Sequence, residues 1–188
     1  MIAARSFAHQ DVGVFGLARS GIASVHALKA GGARVYAWDD RESARIAAEA
    51  EGATVLPWRD WPWAKLKALI LSPGVPLTHP APHEIVAKAR ETNAEVIGDV
   101  ELFARELRVD GKSRAPVIAI TGTNGKSTTT ALVGHVLASC GFDAQIGGNI
   151  GKSVLELSQL NAKTIYVLEI SSYQVDLSPG LKPDVSVL

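Results

Sequence analysis

Lys126 and Ser127 follow the run Ile118, Ala119, Ile120, Thr121, Gly122, Thr123, Asn124, Gly125 and precede three threonines, Thr128 to Thr130. An apolar strand, a glycine loop, a Lys-Ser pair and a helix, in that order, are what a phosphate-binding loop requires. Glycines let backbone N–H groups approach an anion, and the helix N-terminus adds roughly half a positive charge. In such a loop Lys126 reaches the β and γ phosphates of a nucleotide and Ser127 ligates Mg²⁺. The strict pattern would place Gly at position 120, where Ile stands, so the loop is a variant. The competing reading, a plain turn with a solvated lysine, must explain a cation at the positive end of a helix dipole. The three threonines are poor helix formers, and their hydroxyls serve either the nucleotide or the cap.

Glu169 stands near the end of the apolar run 164–170 and is followed by Ser171 and Ser172. Burying its carboxylate unpaired would cost several kcal/mol, on the order expected for an isolated ion, so it needs a cation or hydrogen-bond donors. A Mg²⁺ shared with Ser127 and nucleotide phosphates would meet that need. Residues 147–151, GGNIG, put three glycines and an amide into one loop with exposed N–H groups. Asn149 there either takes a polar ligand or belongs to a hairpin or helix-entry turn.

Residues 16–21, GLARSG, form a degenerate G-x-G-x-x-G with Ala18 where the middle glycine would admit a pyrophosphate, and Asp39 lies 23 positions beyond Gly16. Three readings stand: a dinucleotide-binding dehydrogenase, a phosphate or nucleotide site of another kind, and a plain strand-to-helix turn. Ala18 weighs against the first. Asp39, Asp40 and Arg41 sit at a carboxyl strand end, where open α/β sheets bind ligands. The five histidines lack metal-ligand spacing, since Pro80 and Pro82 keep His79 and His83 from sharing a helical turn, and they are read as non-ligands. Trp58, Trp61 and Trp63 are read as cover over the sheet edge rather than a binding face, and Cys140 as packing.

These residues need elements to hold them. Apolar periodicity predicts strands over 12–16, 34–38, 53–56, 66–71, 95–97, 116–120, 143–146, 164–169 and 184–188. Helices are predicted over about 22–30, 42–51, 82–92, 100–107 and 126–140. Strands alternating with helices give an α/β fold with parallel sheets and right-handed crossovers. The expected arrangement is a Rossmann-like parallel-sheet unit over 1–108, a polar linker over 109–115, and the first part of a P-loop ATPase-like α/β unit over 116–188. The last strand stops without the neighbours a central parallel strand needs, so the sequence is expected to be the front portion of something longer.

The 188 residues carry 19 Lys and Arg against 19 Asp and Glu, a formal charge of zero, which argues against a polyelectrolyte footprint for nucleic acid or an anionic membrane. With 47% apolar residues the chain can bury enough surface to fold. One cysteine excludes an intrachain disulfide, and no apolar run approaches a bilayer span. A cytoplasmic location is expected.

Taken together, the segments TGTNGKST (121–128), GGNIG (147–151), LEISSYQ (168–174), SPG (72–74) and IGDVELF (97–103) resemble the Mur ligases of peptidoglycan synthesis, in order and approximate spacing. The first segment is shared with folylpolyglutamate synthases; the combination is much more specific. The resemblance is strongest to the members that join D-glutamate to UDP-N-acetylmuramoyl-L-alanine. It implies that the first unit holds the UDP of the substrate through Arg19, Ser20, Asp39, Asp40, Arg41, Ser72 and Gly74, so hydride chemistry drops out. It further implies that Gly122, Thr123, Asn124, Gly125, Lys126, Ser127 and Thr128 hold ATP, that Glu169 joins Ser127 on Mg²⁺, and that Asn149, Ser171 and Gln174 contact the muramoyl-alanine end. Lys126, Glu169 and Asn149 are the implied catalytic residues. The implied reaction passes through an acyl phosphate. The family continues with a segment supplying a second metal site and with a third domain for adenine and D-glutamate, so this chain alone is expected to bind UDP-linked substrate without turnover. The alternative is a UDP-sugar sensor with the same fold and no ligase activity.

Overall fold

A computed structural model describes residues 1–107, 115–158 and 161–188. The expected linker, 109–115, lies outside the described residues except for Ala115. Two sheets, all of whose strand pairs are parallel, carry the fold, as the alternating pattern requires. The first contains β1 (Asp11–Phe15), β2 (Arg34–Trp38), β3 (Thr54–Val55), β4 (Leu66–Leu71) and β5 (Glu95–Ile97) in the spatial order β3-β2-β1-β4-β5. Its helices are α1 (Arg19–Ala30), α2 (Glu42–Ala50), α3 (Glu84–Glu91) and α4 (Asp99–Glu106). The second sheet contains β6 (Val117–Ile120), β7 (Asp143–Gly148), β8 (Thr164–Glu169) and β9 (Val185–Val187) in the order β7-β8-β6-β9, with α5 (Lys126–Ser139) and α6 (Ser172–Asp176).

In the first sheet the chain steps outward from β1 to β2 and β3, then crosses back to β4 on the other side of β1. The strand order therefore reverses between β1 and β4. Open α/β sheets bind ligands in the crevice at such a reversal, beyond the carboxyl ends of the strands. Two glycines make the turn after β1 possible. Gly16 has φ +86°, and a Cβ on Gly21 would stand 1.9 Å from the Gly16 carbonyl oxygen, so α1 packs against the strand end only without a side chain there.

Apolar packing continues between the sheets. A cluster that includes Val12 and Val14 of β1 and Leu102 and Phe103 of α4 also takes in Val117, Tyr166 and Leu168 of the second sheet. The Phe103 and Tyr166 rings meet edge to face with centroids 5.0 Å apart. A separate cluster gathers Trp58, Trp61 and Trp63 with Phe15, Leu69 and Ile85. Here the structure corrects the expectation of edge cover. A Cβ on Gly13, in the central strand β1, would lie 2.4 Å from the Trp61 ring, so this tryptophan lies on the sheet face. Gly13 leaves the hollow the indole fills.

Several bounds shift. β7 runs to Gly148, beyond the expected end at 146, because Gly147 and Gly148 pair with Leu168 and Glu169 of β8. The GGNIG segment is thus half strand and half turn. Helix α6 was not expected; Ser171 accepts from the Gln174 N–H while the Gln174 side chain accepts from the Ser171 N–H, a reciprocal cap that the spacing of serine and glutamine could have signalled. Cys140 is exposed rather than packed.

Candidate functional site

The turn after β6 folds back on itself because Gly122 and Gly125 adopt φ +129° and +78°, values that a side chain would strain. Gly125 caps α5, so Lys126 is the first helical residue and Ser127 the second. The Lys126 ammonium donates to the carbonyls of Gly122 at 2.6 Å and Thr123 at 3.2 Å, closing the loop over the helix start. Thr123 and Asn124 are exposed on the rim, as is Thr128. The Thr130 hydroxyl is buried without a partner, so that threonine serves neither cap nor rim.

Ile120 at the end of β6 lies in register with Glu169 at the end of β8. That pairing brings the loop and the carboxylate together although 42 residues separate them. Ser127 Oγ donates to Glu169 Oε2 at 2.7 Å, and Asn149 Nδ2 donates to Glu169 Oε1 at 2.9 Å. Glu169 is 1% exposed, and these two donors satisfy its carboxylate. Gly148 sits on the same carboxylate's backbone: a Cβ there would stand 2.2 Å from the Glu169 carbonyl oxygen, and its φ is +107°. The Asn149 N–H then donates to that same carbonyl at 2.8 Å.

A serine hydroxyl and a carboxylate oxygen meeting at one point form a hard oxygen pair that fits Mg²⁺, an ion that keeps several waters or phosphate oxygens besides one or two carboxylates. Among the described residues no group of three or more His, Cys, Asp or Glu could hold a metal ion.

At the first sheet's reversal point, Ser20, Gly21, Ser24, Ser72 and Asp99 line a small cleft. Ser72 packs against Gly16, and Gly74 is exposed two residues on. Asp39 is buried. Its carboxylate accepts from the Leu17 N–H at 2.6 Å and from the Arg41 N–H and Nε, each at 2.9 Å, so it braces the turn after β1 from the neighbouring strand. The Arg41 hydrogen bond holds the Asp39 carboxyl down at about 2, against burial, with the two N–H bonds assisting. Asp40 and Arg41 lie exposed at this strand end. Arg19, the first residue of α1, reaches across to the second sheet and donates to the carbonyls of Gly151 at 2.7 Å and Asn149 at 3.1 Å.

Ser171 and Gln174 stand after β8, next to Glu169 in the chain. Gln174 is 3% exposed, and its amide nitrogen faces Asp99 Oδ1 at 3.5 Å. Asp99 escaped the sequence reading, because an aspartate in the first turn of a helix reads as a simple cap. In the structure it opens α4 and is buried against Ser153 and Gln174, and burial pushes its carboxyl above the usual range against the hydrogen bonds from Gln174 and Ser153.

Residues 120–188 match the Mur ligase middle domain. Over its full length the chain is 55% identical to a UDP-N-acetylmuramoylalanine--D-glutamate ligase of Rhodopseudomonas palustris (strain ATCC BAA-98 / CGA009). It is 53% identical to the protein of the same name from Phenylobacterium zucineum (strain HLK1). In both cases the match covers 100% of this chain and 40% of the relative, so the chain spans about two fifths of the length of these curated relatives. A solved murein peptide ligase from Psychrobacter arcticus 273-4 superposes with a TM-score of 0.48 and 18% identity, over 86% of this chain and 37% of that one. No helix among the described residues is long and apolar enough to cross a membrane.

Proposed function

We propose that the chain is part of a Mur ligase, whose middle domain matches residues 120–188, and that it carries the UDP-binding and ATP-binding portions of an enzyme that joins D-glutamate to UDP-N-acetylmuramoyl-L-alanine. The observation that carries this reading is the 2.7 Å hydrogen bond between Ser127 and the buried Glu169, beside the Lys126 ammonium. Two oxygens and a cation converge where a triphosphate would lie across the α5 N-terminus. The names of the relatives supply the substrate pair.

In this mechanism the substrate's alanyl carboxylate attacks the γ-phosphorus of ATP and the bond from that phosphorus to the β,γ-bridging oxygen breaks, giving an acyl phosphate and ADP. The amine of D-glutamate then attacks the acyl carbon, phosphate leaves, and the amine gives up a proton. Two anions must meet in the first step. Lys126 exchanges its two loop carbonyls for phosphate oxygens and neutralises part of that repulsion. Ser127 and Glu169 would hold Mg²⁺, which supplies charge neutralisation at the phosphate oxygens. The loop amides of residues 122–125 orient the phosphates. Asn149, Ser171 and Gln174 contact the muramoyl-alanine end. In the first sheet the turn at Arg19 and Ser20 with Ser72 and Gly74 takes the diphosphate, and Asp39 to Arg41 border the uridine.

Titrating the protein with a fluorescent ATP analogue tests this. Binding is expected to depend on Mg²⁺, to weaken roughly tenfold or more in Lys126→Ala, and to lose its Mg²⁺ dependence in Glu169→Gln. An ATP affinity indifferent to both substitutions would refute the assignment. Release of ADP by the longest natural form of the protein should further require both UDP-N-acetylmuramoyl-L-alanine and D-glutamate.

A further inference from the structure

Two helices here begin with a cation, α5 with Lys126 and α1 with Arg19. A positive charge at the positive end of a helix dipole is unfavourable, and no acidic residue in the first turn of α1 relieves it. Lys126 is accounted for by the loop carbonyls and the phosphates they stand in for. Arg19 has a different outlet. Its NH1 and NH2 donate to the carbonyls of Gly151 and Asn149, more than a hundred residues away in the chain. Those two carbonyls belong to one turn, and the same turn carries the Asn149 amide onto Glu169 Oε1. The chain of contacts runs from the N-terminus of α1, through the turn at 149–151, to the carboxylate that Ser127 also touches.

We infer that Arg19 is a positioning residue: its guanidinium fixes the 149–151 turn so that the Asn149 amide stays on Glu169, and it thereby ties the cleft of the first sheet to the oxygen pair of the second. The planar fork suits this task, because it reaches two carbonyls at once where an ammonium reaches one. The turn needs such a tie. Gly148 and Gly151 both have positive φ, and Asn149 and Gly151 are exposed, so little packing fixes the segment. The inference rests on the ligase reading only for the role of Glu169; the tie itself belongs to the ligand-free protein.

Amide-resolved hydrogen exchange on the ligand-free protein tests the tie directly, since the Asn149 N–H is held by the Glu169 carbonyl. In Arg19→Ala, a substitution at an exposed helix start that leaves the fold intact, exchange at Asn149 should speed by about tenfold, with amides of β1 unchanged. Arg19→Lys should recover part of the protection. A second measurement reads the consequence: the Mg²⁺ concentration giving half-maximal binding of the ATP analogue should rise about threefold to tenfold in Arg19→Ala and in Asn149→Ala. The double variant should show no further rise, because both act on Glu169 through one contact. Unchanged exchange at Asn149 in Arg19→Ala would overturn the inference, and so would additive effects in the double variant. A loss of UDP affinity alone, with exchange unmoved, would leave Arg19 with only its place in the diphosphate turn and would overturn the tie. If the unsubstituted protein bound no nucleotide, the ligase reading would fall while the exchange measurement still decided the role of Arg19.

Discussion

Asp39 shows how far a residue's type and position go. From the sequence an acid at the end of β2 is expected to border a ligand; in the structure its two oxygens are taken by the Leu17 and Arg41 N–H groups and the Arg41 side chain, so it braces the turn above it. The low pKa, about 2, has a consequence of definite sign. A carboxyl whose pKa is depressed on folding adds stability above its unfolded value near 4, and that stability is lost as pH falls toward about 2. Asp39→Asn should therefore unfold more readily than the parent at pH 7, by on the order of 1 kcal/mol after solvent screening, and the two should converge near pH 2. Denaturant melts at both pH values check this; a constant difference would show that the brace does not depend on charge. Glu169 teaches the complementary lesson. Its need for donors followed from its place in an apolar run, but that Ser127 and Asn149 are the donors required the coordinates.

At the level of elements, the strand-loop-helix at 117–139 was readable because its chemistry is local: glycines permit the turn, and the helix start follows. The GGNIG segment was only partly readable. Its first two residues look like loop by composition and are strand by pairing, since β8 offers Leu168 and Glu169 as partners. Gly148 is where β7 touches the acid's own backbone, at a distance no Cβ tolerates and with a φ that only glycine adopts freely. Gly148→Ala should cost about 1–3 kcal/mol of stability and displace Glu169 from Ser127. Thermal melts measure the first effect. The Mg²⁺ dependence of nucleotide binding measures the second, and a variant that melts early yet keeps that dependence would separate backbone strain from the position of the acid.

For the whole molecule, Asp99 is the most informative group, since it joins α4 of the first sheet to Ser153 and Gln174 of the second without a charged partner among those contacts. A buried carboxyl with a raised pKa binds its proton more tightly in the fold, so its contribution is complete below the unfolded value and declines as pH rises through the range up to the folded value. Asp99→Asn keeps the shape and removes the titration. It should flatten the loss of stability on the alkaline side of the ordinary carboxyl range and leave the protein more stable than the parent at pH 8, as melts across pH 4–8 would show; an unchanged slope would mean that the carboxyl is solvated. The alternation of apolar runs and turns determined the α/β class, the parallel strands and both candidate loops, because each depends on residues within a few positions of one another. Which strand ends lie side by side was decided only in three dimensions. The register of Ile120 with Glu169, the strand reversal beside Ser72 and the reach of Arg19 to Gly151 each join segments far apart in the chain. Periodicity carries no information about such pairings; they are set by which apolar faces can be buried together once the helices have covered the sheets.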